Sequence, residues 1–282
     1  MTGFLTIYTG ALVFVLGTVF GSFLTCLAQR LPRGESVLRG RSHCDSCGHV
    51  LGAGDLVPVL SWVFLRGKCR YCGAKIGPTD LVSELFLGAC FLASFLRFGV
   101  SFSALSGMVL SAILLCLSLV DMATYTIPDG CILAGVICWV LFCPMQVFSG
   151  EIGWISLISG RRGVGDVSSR MGLLFRLYGA GLIGGFTIAA FLLFMSLLMD
   201  HILKKESLGG GDIKLIFLSG LYLGLLGNLF NLILSCIVGL IFAAGKKAER
   251  IPFGPAISLS TFLCFLFGQS FVDWYLSLTG IL

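Results

Sequence analysis

Charge is what this chain has least of. Only 12% of its 282 residues are Asp, Glu, Lys or Arg, about half the ~25% usual in a soluble domain. Hydrophobic residues make up 57%, and the mean hydropathy is +1.00. That balance excludes a soluble globular fold and indicates a polytopic membrane protein. The net charge of +5 is small and gathered in loops, so it reads as topology and offers no basic surface to nucleic acid. The N-terminal region lacks two further things: no Lys or Arg precedes the first apolar stretch, and no small-x-small cleavage site follows it. Residues 4–26 are therefore expected to be an uncleaved first span, not a signal peptide.

What is present is a series of apolar segments, read in windows of about 20 residues. They fall near 4–26, 81–98, 102–120, 130–149, 178–200, 213–227, 229–244 and 256–278, which predicts eight spans. The sixth and seventh are short and separated only by Gly227-Asn228, so they form either tilted spans or one interrupted pair. Gly17-x-x-x-Gly21 and Gly181-x-x-x-Gly185 have the spacing that lets helix backbones approach closely.

Basic residues set the orientation. The 27–80 segment carries Arg30, Arg33, Arg39, Arg41, Arg66, Lys68, Arg70 and Lys75, whereas the loop after the second span holds only Arg97. Residues 27–80 are thus expected in the cytoplasm. Counting onward places Asp121–Asp129, His201–Asp212 and Gly245–Pro255 on that same side, in agreement with Lys204, Lys205, Lys246, Lys247 and Arg250. Residues 150–177 run against the rule, with Arg161, Arg162, Arg170 and Arg176 against Glu151 and Asp166 in a loop expected on the outside.

The 27–80 segment contains Cys44-Asp45-Ser46-Cys47 and Cys69-Arg70-Tyr71-Cys72, with 21 residues between the pairs. Two Cys-x-x-Cys knuckles so spaced deliver four thiolates tetrahedrally to one zinc, and a short segment with little apolar content needs such a staple. Gly48 and Gly73 follow the second cysteine of each pair and suit a tight turn. A reducing cytoplasm disfavours disulfides between them. The other eight cysteines, Cys26, Cys90, Cys116, Cys131, Cys138, Cys143, Cys236 and Cys264, lie mostly in apolar spans and are assigned to packing.

Two acids interrupt the apolar pattern. Asp121 opens the break Asp121-Met122-Ala123-Thr124-Tyr125-Thr126-Ile127-Pro128-Asp129, and Asp212 closes Gly209-Gly210-Gly211-Asp212. A carboxylate at the edge of a hydrocarbon slab is costly and marks function. Two carboxylates held close share a proton, so that one activates water while the other protonates a leaving group, which is aspartic proteolysis. The glycines allow close approach of Asp212 and an extended substrate, and Pro128 restricts Ile127 to extended conformations. Asp129, just before the fourth span, is expected to cap it. Lys214 either tunes Asp212 or holds a substrate group, or else is a snorkelling cation at a helix start. Asp200-His201 marks the interface at the end of the fifth span.

Gly21-Ser22-Phe23-Leu24, Arg30-Leu31-Pro32-Arg33, the paired knuckles, Pro58-Val59-Leu60-Ser61-Trp62, Arg66-Gly67-Lys68-Cys69-Arg70, Glu84, the Asp121 to Asp129 block and Gly209-x-Gly211-Asp212-x-Lys214 together resemble the type IV prepilin peptidases. The resemblance implies an all-α polytopic protein of the bacterial inner membrane with its active site facing the cytoplasm. Its organisation would be a first span at 1–26, a tetra-cysteine zinc domain at 27–80 and a multi-span aspartic protease domain at 81–282. It would cleave the leader of prepilins or pseudopilins after a glycine, with Asp121 and Asp212 catalytic. It would then N-methylate the new terminus with S-adenosylmethionine. Where that family commonly has an Asp-Asn-Ile-Pro-like run, this chain reads Gly54-Asp55-Leu56-Val57-Pro58.

Three other readings fit parts of the pattern. Presenilin-like and signal-peptide peptidases share Gly-x-Gly-Asp but lack paired zinc knuckles. A cation transporter would place its acids at the midplane, whereas both of these lie towards one face. An assembly factor with a docking zinc domain leaves the two acids without a role.

Overall fold

A computed structural model describes residues 2–35, 40–151, 170–204, 208–245 and 252–278. Among them the regular elements are helical, with two isolated antiparallel bridges as the extended pairings. The chain forms two compact units, Met1–Gly99 and Val100–Leu282.

In the first unit α1 (Thr2–Arg30) runs into a 3-10 turn at Leu31–Arg33, closed by Gly34 at φ 66. A short α2 (Leu60–Phe64) follows the knuckle region, and α3 (Thr79–Phe98) packs along α1. The expected Gly17-x-x-x-Gly21 contact is present. A Cβ on Gly17 would stand 2.8 Å from the Gly88 Cα, and one on Gly21 would stand 2.8 Å from the Glu84 Cα. The close crossing also lets Thr25 Oγ1 meet Ser83 Oγ at 2.6 Å, pairing two hydroxyls that lipid could not satisfy.

The second unit holds α4 (Phe102–Thr124), α5 (Asp129–Ser149), α6 (Arg170–Leu203), α7 (Gly210–Gly245) and α8 (Gly254–Leu278). Helix α4 packs on α5 and α8, and α7 packs on α6 and α8. Glu151 caps α4 from a distance: its carboxylate accepts the Phe102 and Ser103 N–H groups at 2.8 and 2.7 Å, satisfying amides that a helix start leaves free. Gly181, Gly184 and Gly185 of α6 lie against α7, where a Cβ on Gly184 would collide with the Gly224 backbone.

Helix α7 is not continuous. Gly224 has φ 67 and ψ −174, outside helical space. Asn228 Nδ2 donates to the Ile216 carbonyl at 3.0 Å, and Ser219 Oγ donates to Asn228 Oδ1 at 2.7 Å. In a straight helix Ile216 and Asn228 would be about 18 Å apart; the chain therefore folds back at Gly224 into two antiparallel legs. The break comes three residues before the Gly227-Asn228 pair expected to separate the segments.

Six helical stretches among the described residues are long and apolar enough to cross a membrane, and they make the chain a multi-pass membrane protein. The six differ from the eight expected segments at α7, which carries two of them, and at α8, whose apolar stretch is the shorter Gly254–Gly268. Large apolar side chains such as Phe186, Phe194 and Leu240 stay exposed, as they would against acyl chains. Helix α6 starts at Arg170 and not near 178, so Arg170 and Arg176 belong to a helix and not to a loop. Arg39, Arg161, Arg162, Asp166, Lys205, Lys246, Lys247 and Arg250 lie outside the described residues.

Candidate functional site

Four helix ends of the second unit supply the acidic site. Asp121 lies in the last turn of α4, a position more helical than the polar break expected for it, and is only 5% exposed. Helix α4 then stops because Tyr125 enters the left-handed region at φ 55. Pro128, at the N-cap of α5, has no N–H to lose and sets the turn into Asp129. Asp212 sits in the first turn of α7, and its N–H bonds the Gly209 carbonyl at 3.0 Å. The turn that follows Asp121 docks on the start of α7, which carries Asp212, through Ile127 beside Gly211 and the ion pair of Asp129 with Lys214.

Each glycine of the triplet has a separate neighbour. A Cβ on Gly209 would lie 3.3 Å from Asp212 Oδ2, a Cβ on Gly211 would lie 3.0 Å from the Ile127 Cβ, and Gly210 faces open space. The room beside Gly211 is thus filled by Ile127, which docks the Ile-Pro-Asp block against the Asp212 turn. Only Gly210 keeps the open backbone that the sequence suggested for all three.

Asp129 does not cap α5 through its side chain; Pro128 holds the cap position. Its carboxylate is 75% exposed and pairs with Lys214 Nζ at 2.6 Å. Lys214 therefore ties the start of α7 to the start of α5.

One member of the site escaped the sequence reading. Gly254, at the start of α8, donates its N–H to Asp121 Oδ2 at 3.0 Å. Gly254-Pro255 before an apolar stretch looks like an ordinary helix start; the only signal was the glycine at the first position.

The knuckles of the first unit repeat one local structure. Gly48 N–H bonds the Cys44 carbonyl at 2.8 Å and Gly73 N–H bonds the Cys69 carbonyl at 2.9 Å. Both glycines sit at positive φ, 70 and 71. Isolated bridges, His43 with Val50 and Lys68 with Lys75, pinch the two turns. The Sγ atoms of Cys44, Cys47, Cys69 and Cys72 all lie within 4.8 Å of one another, Cys44 and Cys72 at 3.9 Å. A tetrahedral zinc with Zn–S bonds of ~2.3 Å requires sulfurs about 3.8 Å apart, so the four residues fit one such ion. Backbone N–H groups of Cys47 and Ser46 hold the Cys44 thiol down at about 7. Cys72, although the Ala74 N–H favours its thiolate, is pushed up to about 11 by desolvation and the neighbouring sulfurs. A divalent cation relieves that crowding by taking all four as thiolates.

Two family models match the chain: "Bacterial Peptidase A24 N-terminal domain" over residues 15–98 and "Type IV leader peptidase family" over residues 108–244. A "Prepilin leader peptidase/N-methyltransferase" of Bacillus subtilis strain 168 is 27% identical, covering 95% of this chain and 98% of the relative. A protein of the same name from Burkholderia pseudomallei strain 1026b is 30% identical over 96% of this chain and 88% of its own. The "Type 4 prepilin-like proteins leader peptide-processing enzyme" of Escherichia coli O78:H11 is 32% identical over 86% and 88%. No solved structure matches. With both family models placed along it and relatives aligned over nearly their whole length, the chain belongs to the type IV leader peptidase family.

Proposed function

We propose that the chain is a membrane aspartic endopeptidase that cleaves the leader of type IV prepilins or pseudopilins after a glycine, and then N-methylates the exposed terminus with S-adenosylmethionine. The observation that carries the cleavage reading is the docking of the turn that follows Asp121 on the start of α7, which carries Asp212: Ile127 fills the space beside Gly211, and Asp129 pairs with Lys214 at 2.6 Å. Two such carboxylates hold one proton between them. One takes a proton from water, which attacks the scissile carbonyl, and the other gives a proton to the departing amine. The Gly254 N–H fixes the orientation of the Asp121 carboxylate, and the bare backbone at Gly210 leaves room for an extended peptide. A glycine before the scissile bond suits this site because it lets the substrate chain unwind and brings no side chain.

Methyl transfer is supported by the double activity in the relatives' names. The four cysteines would hold zinc and organise the 27–80 segment. That segment would face the cytoplasm of a bacterium from the inner membrane, as its basic residues favour, and the acids would share its side. Counting the two legs of α7 as separate crossings and adding α8 brings the spans to eight.

Incubation of the purified protein with a prepilin-like peptide, followed by mass spectrometry with and without S-adenosylmethionine, tests both activities. Cut peptide carrying one additional methyl group only when the donor is present is the expected result. Uncut peptide would refute the cleavage reading.

A further inference from the structure

Helix α2 turns an apolar face away from its own unit. Leu60, Val63 and Phe64 stand at i, i+3 and i+4, which puts them on one side of the helix, and they are 53%, 53% and 80% exposed. Val57, three residues before Leu60, is exposed as well. Trp62 takes the opposite side and packs on the turn that follows, where a Cβ on Gly67 would lie 2.8 Å from its ring. Three large apolar side chains on one exposed face mark a contact surface.

The level of α2 along the spans identifies what it touches. The Val59 N–H, just ahead of the helix, donates to Glu84 Oε2 at 2.7 Å. Glu84 in turn lies level with Gly21, where a Cβ would stand 2.8 Å from the Glu84 Cα. Past Glu84 no charge occurs in α3 until Arg97, and α1 carries none before Arg30. With 29 residues, α1 is about 43 Å long, which exceeds a hydrocarbon core of ~30 Å by about 13 Å. The stretch from Gly21 to Arg30 accounts for that excess, being itself about 13 Å long. Glu84 and Gly21 therefore mark the edge of the apolar slab, and α2 begins at that edge and not out in water. Val82, Leu85 and Phe86 of α3 are exposed at the same level, as lipid-facing side chains are. Arg66 and Lys68, just past α2, are exposed too.

We propose that α2 is a membrane-surface element: Leu60, Val63 and Phe64 enter the boundary between headgroups and acyl chains, while Arg66 and Lys68 meet the phosphates of anionic lipids. An apolar face flanked by cations is what such a surface holds. Lysine and arginine also reach back to the headgroups from a shallow position. Both ends of the knuckle segment are tied to helices long and apolar enough to cross the bilayer, so the lipid is always within reach of α2, whereas a protein partner would have to arrive and displace it. The contact would fasten the knuckle segment to the membrane at a third point, between its two covalent tethers. It depends on neither leader cleavage nor methyl transfer.

The test is photo-cross-linking of the full-length, zinc-loaded protein with Phe64 replaced by p-benzoylphenylalanine. The protein is irradiated in nanodiscs of phosphatidylcholine and phosphatidylglycerol in equal parts and, in parallel, in membranes isolated from the expressing cells; mass spectrometry then identifies what is attached at position 64. The same replacement of Phe186, exposed on α6, supplies the reference for a lipid-facing site. Lipid adducts at position 64 should form within about threefold of that reference yield. In the nanodiscs phosphatidylglycerol adducts should outnumber phosphatidylcholine adducts at least about twofold, and Arg66→Gln combined with Lys68→Gln should make the two equal. If that double variant loses its zinc, irradiation of the protein with native Arg66 and Lys68 in high salt, which screens the same attraction, carries the same expectation. Attachment to a second protein chain in place of lipid, in either preparation, would make the face a protein-docking surface and overturn the proposal. Absence of any adduct while position 186 reacts would place α2 in water, with the same result. A lipid preference that survives both the double variant and high salt would overturn the part given to Arg66 and Lys68.

Discussion

Gly254 donates its backbone N–H to Asp121 Oδ2 at 3.0 Å, and a Cβ at Gly254 would stand 2.6 Å from that oxygen. A helix start and a carboxylate thus occupy space that only glycine leaves free. Gly254→Ala should push the Asp121 carboxylate aside and lower kcat for leader cleavage by at least ~10-fold, since small misplacements of reacting groups are costly. Rates within a factor of two of wild type would show that the contact is incidental to catalysis.

The acids themselves should not tolerate change. Asp121→Asn and Asp212→Asn are each expected to abolish cleavage in a peptide assay while the protein still inserts into membranes. Asp129→Asn removes only an exposed ion pair with Lys214, an interaction worth ~0–1 kcal/mol, so cleavage should persist with a modest change. Retained activity in Asp121→Asn, together with its loss in Asp129→Asn, would move the first catalytic acid to Asp129.

Much of this arrangement was legible in the residues. The knuckles stand out because thiolate ligands must recur at fixed spacing, and the acids because a charge in an apolar setting is costly and therefore rare. The helix partners were not legible. Nothing in Gly254-Pro255 shows that its amide meets a carboxylate far back in the chain, and Ile127 gives no hint that it fills the space beside Gly211. Asp129 looked like a cap because it stands at a helix start, but Pro128 already supplies the turn there, which frees the carboxylate to reach Lys214. Helix ends were also misplaced where charge interrupts an apolar run: α6 continues back through Arg176 to Arg170, since both residues are good helix formers.

Metal removal offers a separate check. Purified protein should contain close to one zinc per chain by elemental analysis, as one tetrahedral cysteine set predicts. Cys44→Ser or Cys72→Ser should lower that content sharply, and a strong chelator should destabilise the segment between α1 and α3, which has few apolar contacts of its own. A zinc-free preparation that folds and cleaves normally would leave the knuckles without the role given to them.

The fold-back in α7 also makes a stability prediction. Asn228 is fully buried and serves Ser219 and the carbonyls of Ile216 and Gly184. Asn228→Leu removes these bonds, although Ser219 keeps its bonds to the Ile216 carbonyl and Asn231, and should cost about 1–3 kcal/mol, read as a lowered thermal midpoint in detergent. An unchanged midpoint would mean that the Asn228 bonds do not hold the two legs together.

Gly224 has one more consequence, a matter of parity. Asp212 opens the first leg of α7, and Gly254 follows the second leg. Were α7 a single rod, the chain would leave Asp212 and arrive at its far end, and the amide that holds Asp121 would begin its helix on the wrong side. A single reversal makes the number of traverses between Asp212 and Gly254 even. A residue with no side chain, far from any reacting bond, thereby decides that the parts of the acidic site meet at the same end of the molecule.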